Sequence, residues 1–150
     1  MRIASLVAIL LVGLSPAYPA SNLSGIWTLN TAKSNFGTMI PPEQLVVRLE
    51  RTGSRLATWR FTTDPGGQHL AYREYTLEGK RRPSLALARL TPMNIDFPME
   101  LTGATRVGER WHVSKKRLVI QRSITTGPRT VRQRLVLEPS TSVQGTNQIP

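Results

Sequence analysis

The chain has 150 residues, no cysteine, and 20 Lys and Arg against 9 Asp and Glu. This length suits one domain with a core of its own, and a chain without cysteine has neither disulfides nor a cysteine for lipid attachment. The formal net charge of +11 favours acidic partners. Arginines spread over outward faces for solubility would give the same charge, so both interpretations stay open.

The first 20 residues have the layout of a secretory signal peptide. Arg2 precedes an apolar run over residues 3–14, and the small residues Ser15, Ala17 and Ala20 follow. The run is shorter than the roughly 20 apolar residues that cross a bilayer. The sequence therefore predicts cleavage of this segment, a secreted or periplasmic protein, and no transmembrane segment in the mature chain.

Short runs of alternating apolar and polar residues, separated by turn residues, fill the rest of the chain and predict β-strands. A single helical turn is expected near 31–34, a tight turn at 64–67, another turn at Gly108, and an apolar loop over 92–98. A polar tail follows the last strand. The expected strands lie at 23–30, 45–50, 56–63, 70–77, 84–90, 99–105, 111–113, 117–124 and 130–138.

The hairpin across the Asp-Pro-Gly-Gly turn carries the candidate binding residues. Alternation places Trp59 and Phe61 on one face and Arg60 on the other, and the expected register brings Tyr75 onto the aromatic face. Arg73 lies two positions before Tyr75 and shares its face. If this face is the inner one, Arg73 is a buried charge that needs an anion, supplied by a ligand or by a neighbouring glutamate.

The opening strand, Leu-Ser-Gly-Ile-Trp-Thr-Leu-Asn at 23–30, is followed by Lys33 and Ser34. These residues resemble the lipocalin-like proteins that many bacteria export, and segments 75–80 and 117–120 resemble the same group. The resemblance, like the strand count, implies an all-β fold: a single small antiparallel up-and-down barrel of about eight strands. We predict a signal peptide at 1–20, the barrel at 21–138 and a flexible tail at 139–150.

Neither catalysis nor metal binding has a convincing set of residues. His69 and His112 are too few for a metal site, which uses three or four ligands. The chain has no Gly-x-Ser-x-Gly elbow and no glycine-rich phosphate loop. We therefore expect no enzymatic activity, no cofactor and no metal.

The expected function is an exported, non-enzymatic barrel that binds a small, partly apolar ligand; for an anionic amphiphile, Arg73 would meet the charged end. Its candidate binding residues are Trp59, Phe61, Arg73 and Tyr75. The alternative is a basic interaction protein that binds acidic polymers or membrane headgroups through the clusters at 81–82 and 115–117. No aromatic residues alternate with those clusters, which argues against specific nucleic-acid binding.

Overall fold

A computed structural model describes residues 23–77, 86–90 and 94–140. The expected signal peptide, the cluster at 81–82 and residues 141–150 of the expected tail lie outside the described residues. One short helix, Thr31–Lys33, lies where the helical turn was expected. The described strands are β1 Gly25–Leu29, β2 Gln44–Thr52, β3 Arg55–Asp64, β4 Gly67–Leu77, β5 Ala86–Leu90, β6 Asn94–Asp96, β7 Glu100–Thr102, β8 Thr105–Val113, β9 Leu118–Thr126 and β10 Arg129–Pro139.

All of these strands belong to one sheet, which closes on itself. The order runs β5-β4-β3-β2-β1-β10-β9-β8, and β6 pairs with both β5 and β8. β7 pairs with residues 105–107 at the beginning of β8, whereas β6 pairs with residues 110–112. The all-β antiparallel barrel predicted from the sequence is confirmed, and among the described strands one pair, β4 with β5, is parallel. No helix in the described part of the chain is long and apolar enough to cross a membrane.

The region between β5 and β9 differs from the sequence prediction. Residues 94–96, expected in a loop, form strand β6, whose Ile95 is fully buried. Gly108, expected at a turn, lies inside β8, and the turn before β8 contains Gly103 with a φ of +58°. That conformation suits glycine because it has no Cβ. The prediction of a turn at Gly108 is therefore wrong.

The apolar core fills part of the barrel interior. Trp27 is 5% exposed, and a Cβ at Gly25 would lie 3.3 Å from its indole nitrogen, so the Gly-x-Trp spacing gives the indole room. Ser140 directly follows β10, in the first part of the expected tail. Its backbone N–H donates a hydrogen bond to the Ile26 carbonyl at 2.9 Å. The buried cluster contains Leu23, Trp27, Leu45, Val47, Leu49, Leu56, Tyr75, Leu77, Ala88, Ile95, Trp111, Val113, Leu118, Ile120, Leu135 and Leu137.

Candidate functional site: an arginine-lined cavity

A cavity of about 240 Å³ lies inside the barrel, beyond the apolar core. Its walls come mainly from the inner faces of β3, β4, β8 and β9, and the segment between β6 and β7 covers one side. Polar and charged groups alternate there with apolar ones. The lining residues are Thr58, Arg60, Ala71, Arg73, Tyr75, Phe97, Pro98, Glu100, Val107, Glu109, Trp111, Arg122 and Ile124.

Glu109 lies between two arginines in the cavity wall. Its Oε2 accepts hydrogen bonds from Arg60 Nη2 and Trp111 Nε1, both at 2.8 Å. Its Oε1 accepts one from Arg122 Nε at 2.6 Å. The side chains of Glu109, Arg122 and Arg60 are 12%, 19% and 25% exposed, so water screens these charges only weakly.

The cluster is ionised and carries an excess positive charge. Burial is the largest influence on Glu109 and would raise its pKa, but the charges of Arg60 and Arg122 and hydrogen bonds from Arg60 and Trp111 hold that pKa at about 2. Burial lowers the pKa of Arg122, and Glu109 opposes that change. A guanidinium stays protonated in proteins. Two arginines against one glutamate leave a net charge of +1.

Arg60 has a buried hydrogen-bond donor that the described residues leave unsatisfied. Its Nε is buried and has no hydrogen-bond partner among the described residues. Its guanidinium also lies 5.5 Å from the centre of the Trp111 ring. A buried donor without a partner is costly, and an anion in the cavity could supply the missing acceptor.

A second ion pair lies nearer to solvent. Arg73 Nε is 3.7 Å from Glu100 Oε1, and these side chains are 60% and 52% exposed. Arg73 is therefore not the buried charge that the sequence analysis considered, and its neighbouring glutamate is Glu100. Beside this pair, burial and then Glu100 and Glu109 raise the pKa of Tyr75 to about 12. The Tyr75 hydroxyl is thus a neutral group at physiological pH.

The structure separates the four sequence-predicted binding residues. Arg73 and Tyr75 line the cavity, and their binding role stays a prediction. Trp59 pairs with Tyr72 on β4, whereas Tyr75 pairs with Leu56. Trp59 and Phe61 therefore lie on the outer face, and the prediction that they share a face with Tyr75 is wrong.

The outward tryptophan has its own partners. The rings of Trp59 and Tyr72 are 5.1 Å apart, and the Arg48 guanidinium lies 4.8 Å from the Trp59 ring. The larger apolar residues of β3 are predicted from the sequence to lie on the inner face. In β3 it is instead Arg60 that faces the cavity, because Glu109 pairs with its charge.

Sequence reasoning missed the residues at the centre of the cavity, although a signal exists. Glu109 interrupts an alternating row of Val107, Trp111 and Val113 in β8. Arg122 interrupts a similar row in β9, after Leu118 and Ile120 and before Ile124. A charged residue at an apolar position of a strand is costly unless paired, so two such interruptions in neighbouring strands indicate a buried ion pair.

The two histidines lie apart from the cavity lining. His69 Nε2 is 3.4 Å from Asp64 Oδ1, and His112 Nδ1 is 3.0 Å from Asn94 Oδ1. Within 23–77, 86–90 and 94–140, no group of three or more potential metal ligands converges. The basic cluster at 115–117 lies between β8 and β9 and shares a surface depression with Lys33.

Comparison with protein-family models gives no match, and comparison with curated proteins gives none. Among solved structures, the chain is similar to a siderocalin, Ex-FABP, described as having dual ligand specificities. That likeness has a TM-score of 0.47 and 11% identity, covering 84% of this chain and 79% of the other. A zebrafish ileal bile acid-binding protein complexed with cholic acid matches with a TM-score of 0.49 and 12% identity, covering 80% and 100%. At these values, what this barrel binds has to be inferred from its own side chains.

Proposed function

We propose that this protein is a non-enzymatic barrel that binds a small organic anion with a short apolar part. The observation that carries the proposal is the cavity cluster: two arginines around one glutamate, with Arg60 Nε buried and unpartnered in the described chain. A ligand carboxylate would balance the excess charge and accept that hydrogen bond. Charge-assisted bonds of this kind are stronger than neutral ones.

The size of the cavity limits the ligand. Its volume of about 240 Å³ is below the roughly 300–1,000 Å³ of pockets for drug-sized ligands. We therefore propose a compact carboxylate rather than a long-chain fatty acid, with its apolar part against Phe97, Val107 and Ile124.

The exposed ion pair gives the ligand a route inward. Arg73 is more than half exposed and lies beside Glu100 at a distance of 3.7 Å. Exposed pairs of this kind contribute little stability, about 0–1 kcal/mol, so Arg73 can exchange Glu100 for an arriving carboxylate. The proposed path leads from Arg73 past Tyr75 to Arg60 and Arg122.

The binding test uses matched ligands. Isothermal titration calorimetry should show binding of phenylacetate and at least tenfold weaker binding of phenylacetamide, which has the same shape without the charge. Arg122→Gln removes the excess charge and should weaken phenylacetate at least tenfold. Arg106→Gln, which changes an exposed arginine on β8, should leave the affinity within twofold.

Two results would overturn this function. Equal affinity for acid and amide would show that the arginines do not select an anion. Absence of binding by the unaltered protein to either compound, or to shorter and longer carboxylates, would show that the cavity holds only water. Both readings use the unaltered chain and remain decisive if Arg122→Gln fails to fold.

Export is also part of the proposal, and it rests on the sequence of the first 20 residues. We propose that the mature protein is secreted or periplasmic and begins between Tyr18 and Ser21. N-terminal sequencing of the exported protein would test this, and a start at Met1 would contradict it.

A further inference from the structure

The outer wall formed by β8, β9 and β10 carries an open groove of about 520 Å³. It lies on the opposite face of β8 and β9 from the side chains of Glu109 and Arg122, so a ligand in the barrel cavity would not fill it. We call it the outer groove. Its lining is Asn35, Asp96, Gly108, Glu109, Arg110, Gln121, Arg122, Ser123, Arg132, Gln133 and Arg134. Of these, Glu109, Arg122 and Gln133 pair with one another across the strands on the inner face, so the outer groove meets them from the side opposite to their side chains.

Small residues form the floor of the outer groove. Gly108 pairs with Ser123 across β8 and β9, and a Cβ at Gly108 would lie 3.1 Å from Ser123 Oγ. Because glycine has no side chain, the surface at this position is recessed between the neighbouring long side chains. The exposed Gln121 amide and the half-buried Ser123 hydroxyl can both form hydrogen bonds along the floor.

Arginines form the sides. Arg134 pairs with Gln121, which pairs with Arg110, so one row crosses three strands. At about 4.8 Å per strand, the two arginines start roughly 10 Å apart. Arg132, two residues before Arg134 on the same face, adds a third charge roughly 7 Å along β10.

The positive charge of the outer groove is largely unpaired. Arg110 forms an ion pair with Asp96. Arg132 and Arg134 are exposed, and neither side chain forms a hydrogen bond or ion pair with another described residue. Three arginines against one aspartate leave a net charge of +2 along the outer groove.

The chain holds β10 firmly at this point. Asn35 and Arg134 exchange two backbone hydrogen bonds, both at 2.8 Å. Gly37 follows with a φ of +63°, and a Cβ there would lie 2.9 Å from the Arg132 carbonyl oxygen. The backbone that presents both free arginines is therefore fixed on both sides, which lowers the entropic cost of binding.

We propose that the outer groove binds an acidic polysaccharide. An elongated chain with repeated carboxylate or sulfate groups matches arginines spaced along a groove, and guanidinium groups bind such anions in bidentate fashion. Sugar hydroxyls would meet Ser123 and Gln121 on the floor. The lining contains no aromatic residue, so nucleobases find no stacking surface, and a flat bilayer would not enter a recessed floor.

The probe is a labelled heparin oligosaccharide. Its binding is followed by fluorescence anisotropy at low salt. Arg132→Glu with Arg134→Glu should weaken binding at least tenfold, and added salt should weaken the unaltered protein steeply. The matched control, Lys115→Glu with Lys116→Glu, makes the same charge change in the cluster between β8 and β9. It should weaken binding less than threefold.

Several outcomes would overturn the proposal. Equal losses in both double variants would mean that heparin responds to overall charge and not to the outer groove. Binding of anionic phospholipid vesicles, or of an oligothymidine, as tight as that of heparin would identify a different partner. Lack of heparin binding by the unaltered protein would exclude the proposal outright. Phenylacetate titration of the same variants keeps this result separate from the cavity function, because those substitutions leave the cavity lining intact.

Discussion

Glu109→Gln should destabilise the barrel by about 3 kcal/mol. The pKa of Glu109 falls from 4.5 to about 2, and a tenfold change in acidity is worth about 1.4 kcal/mol, which gives about 3 kcal/mol of native-state stabilisation at pH 7. Breaking a buried ion pair by removing one partner typically costs about 3–5 kcal/mol. The two magnitudes agree because the substitution leaves Arg60 and Arg122 buried without a negative partner.

Urea unfolding at pH 7, followed by tryptophan fluorescence, measures this loss as a shift of the midpoint. Glu50→Gln is the matched control. Glu50 pairs with Arg48, but both side chains are more than a third exposed, so the control should lose no more than about 1 kcal/mol. A loss below about 1 kcal/mol for Glu109→Gln would refute the idea that this carboxylate holds the cavity together.

The pH dependence gives a second check. A carboxylate whose pKa is lowered on folding stabilises the protein above its ordinary pKa and loses that effect as pH falls through the folded value. The difference between the unaltered protein and Glu109→Gln should therefore be constant above pH 5 and shrink to about 1.4 kcal/mol near pH 3. A difference that stays constant from pH 7 to 3 would contradict ionisation of Glu109 in the cavity.

Three further substitutions test the surrounding structure. Trp27→Ala should cost about 3–5 kcal/mol in urea unfolding, as for other large core aromatics, and a loss under 1 kcal/mol would exclude its place in the core. Gly37→Ala should cost more than Gly53→Ala, because both glycines have positive φ but only Gly37 has backbone within contact of a new Cβ; equal losses would contradict that crowding. The pKa of Tyr75 is raised to about 12, so its stabilising effect is complete below pH 10 and is lost as pH rises toward 12. Tyr75→Phe should therefore lose less stability over that range in alkaline unfolding, and an unchanged profile would show that Tyr75 does not control it.

Local signals were sufficient for most of the barrel. Alternation and turn residues predicted β2, β3 and the hairpin at 64–67, because these features depend on neighbouring residues alone. Strand β6 was missed because Pro92 and Pro98 are typical of loops, whereas its position depends on pairing with β5 and β8. Contacts between distant strands do not show in a short window of sequence.

The candidate site was predicted only in part, for a related reason. Arg73 and Tyr75 were assigned to the inner face and do line the cavity, although Arg73 is more than half exposed. Trp59 was placed with them because it is large and apolar. Hydrophobicity decides which face is buried only where the interior is apolar. In this barrel a glutamate on β8 allows Arg60 to face inward from β3, and that partner is 49 residues away in the sequence.

The three tryptophans of the chain lie in three different surroundings, so their fluorescence can report on three separate parts of the protein. Trp27 lies in the apolar core, and Trp59 lies on the outer wall beside Arg48. Trp111 lies in the cavity wall, where its indole N–H donates a hydrogen bond to Glu109. A chain that keeps only Trp111 would emit from the cavity alone, and a chain that keeps only Trp59 would emit from the outer surface. Emission from the first would follow events at the ion cluster, while emission from the second would register contacts on the outside of β3.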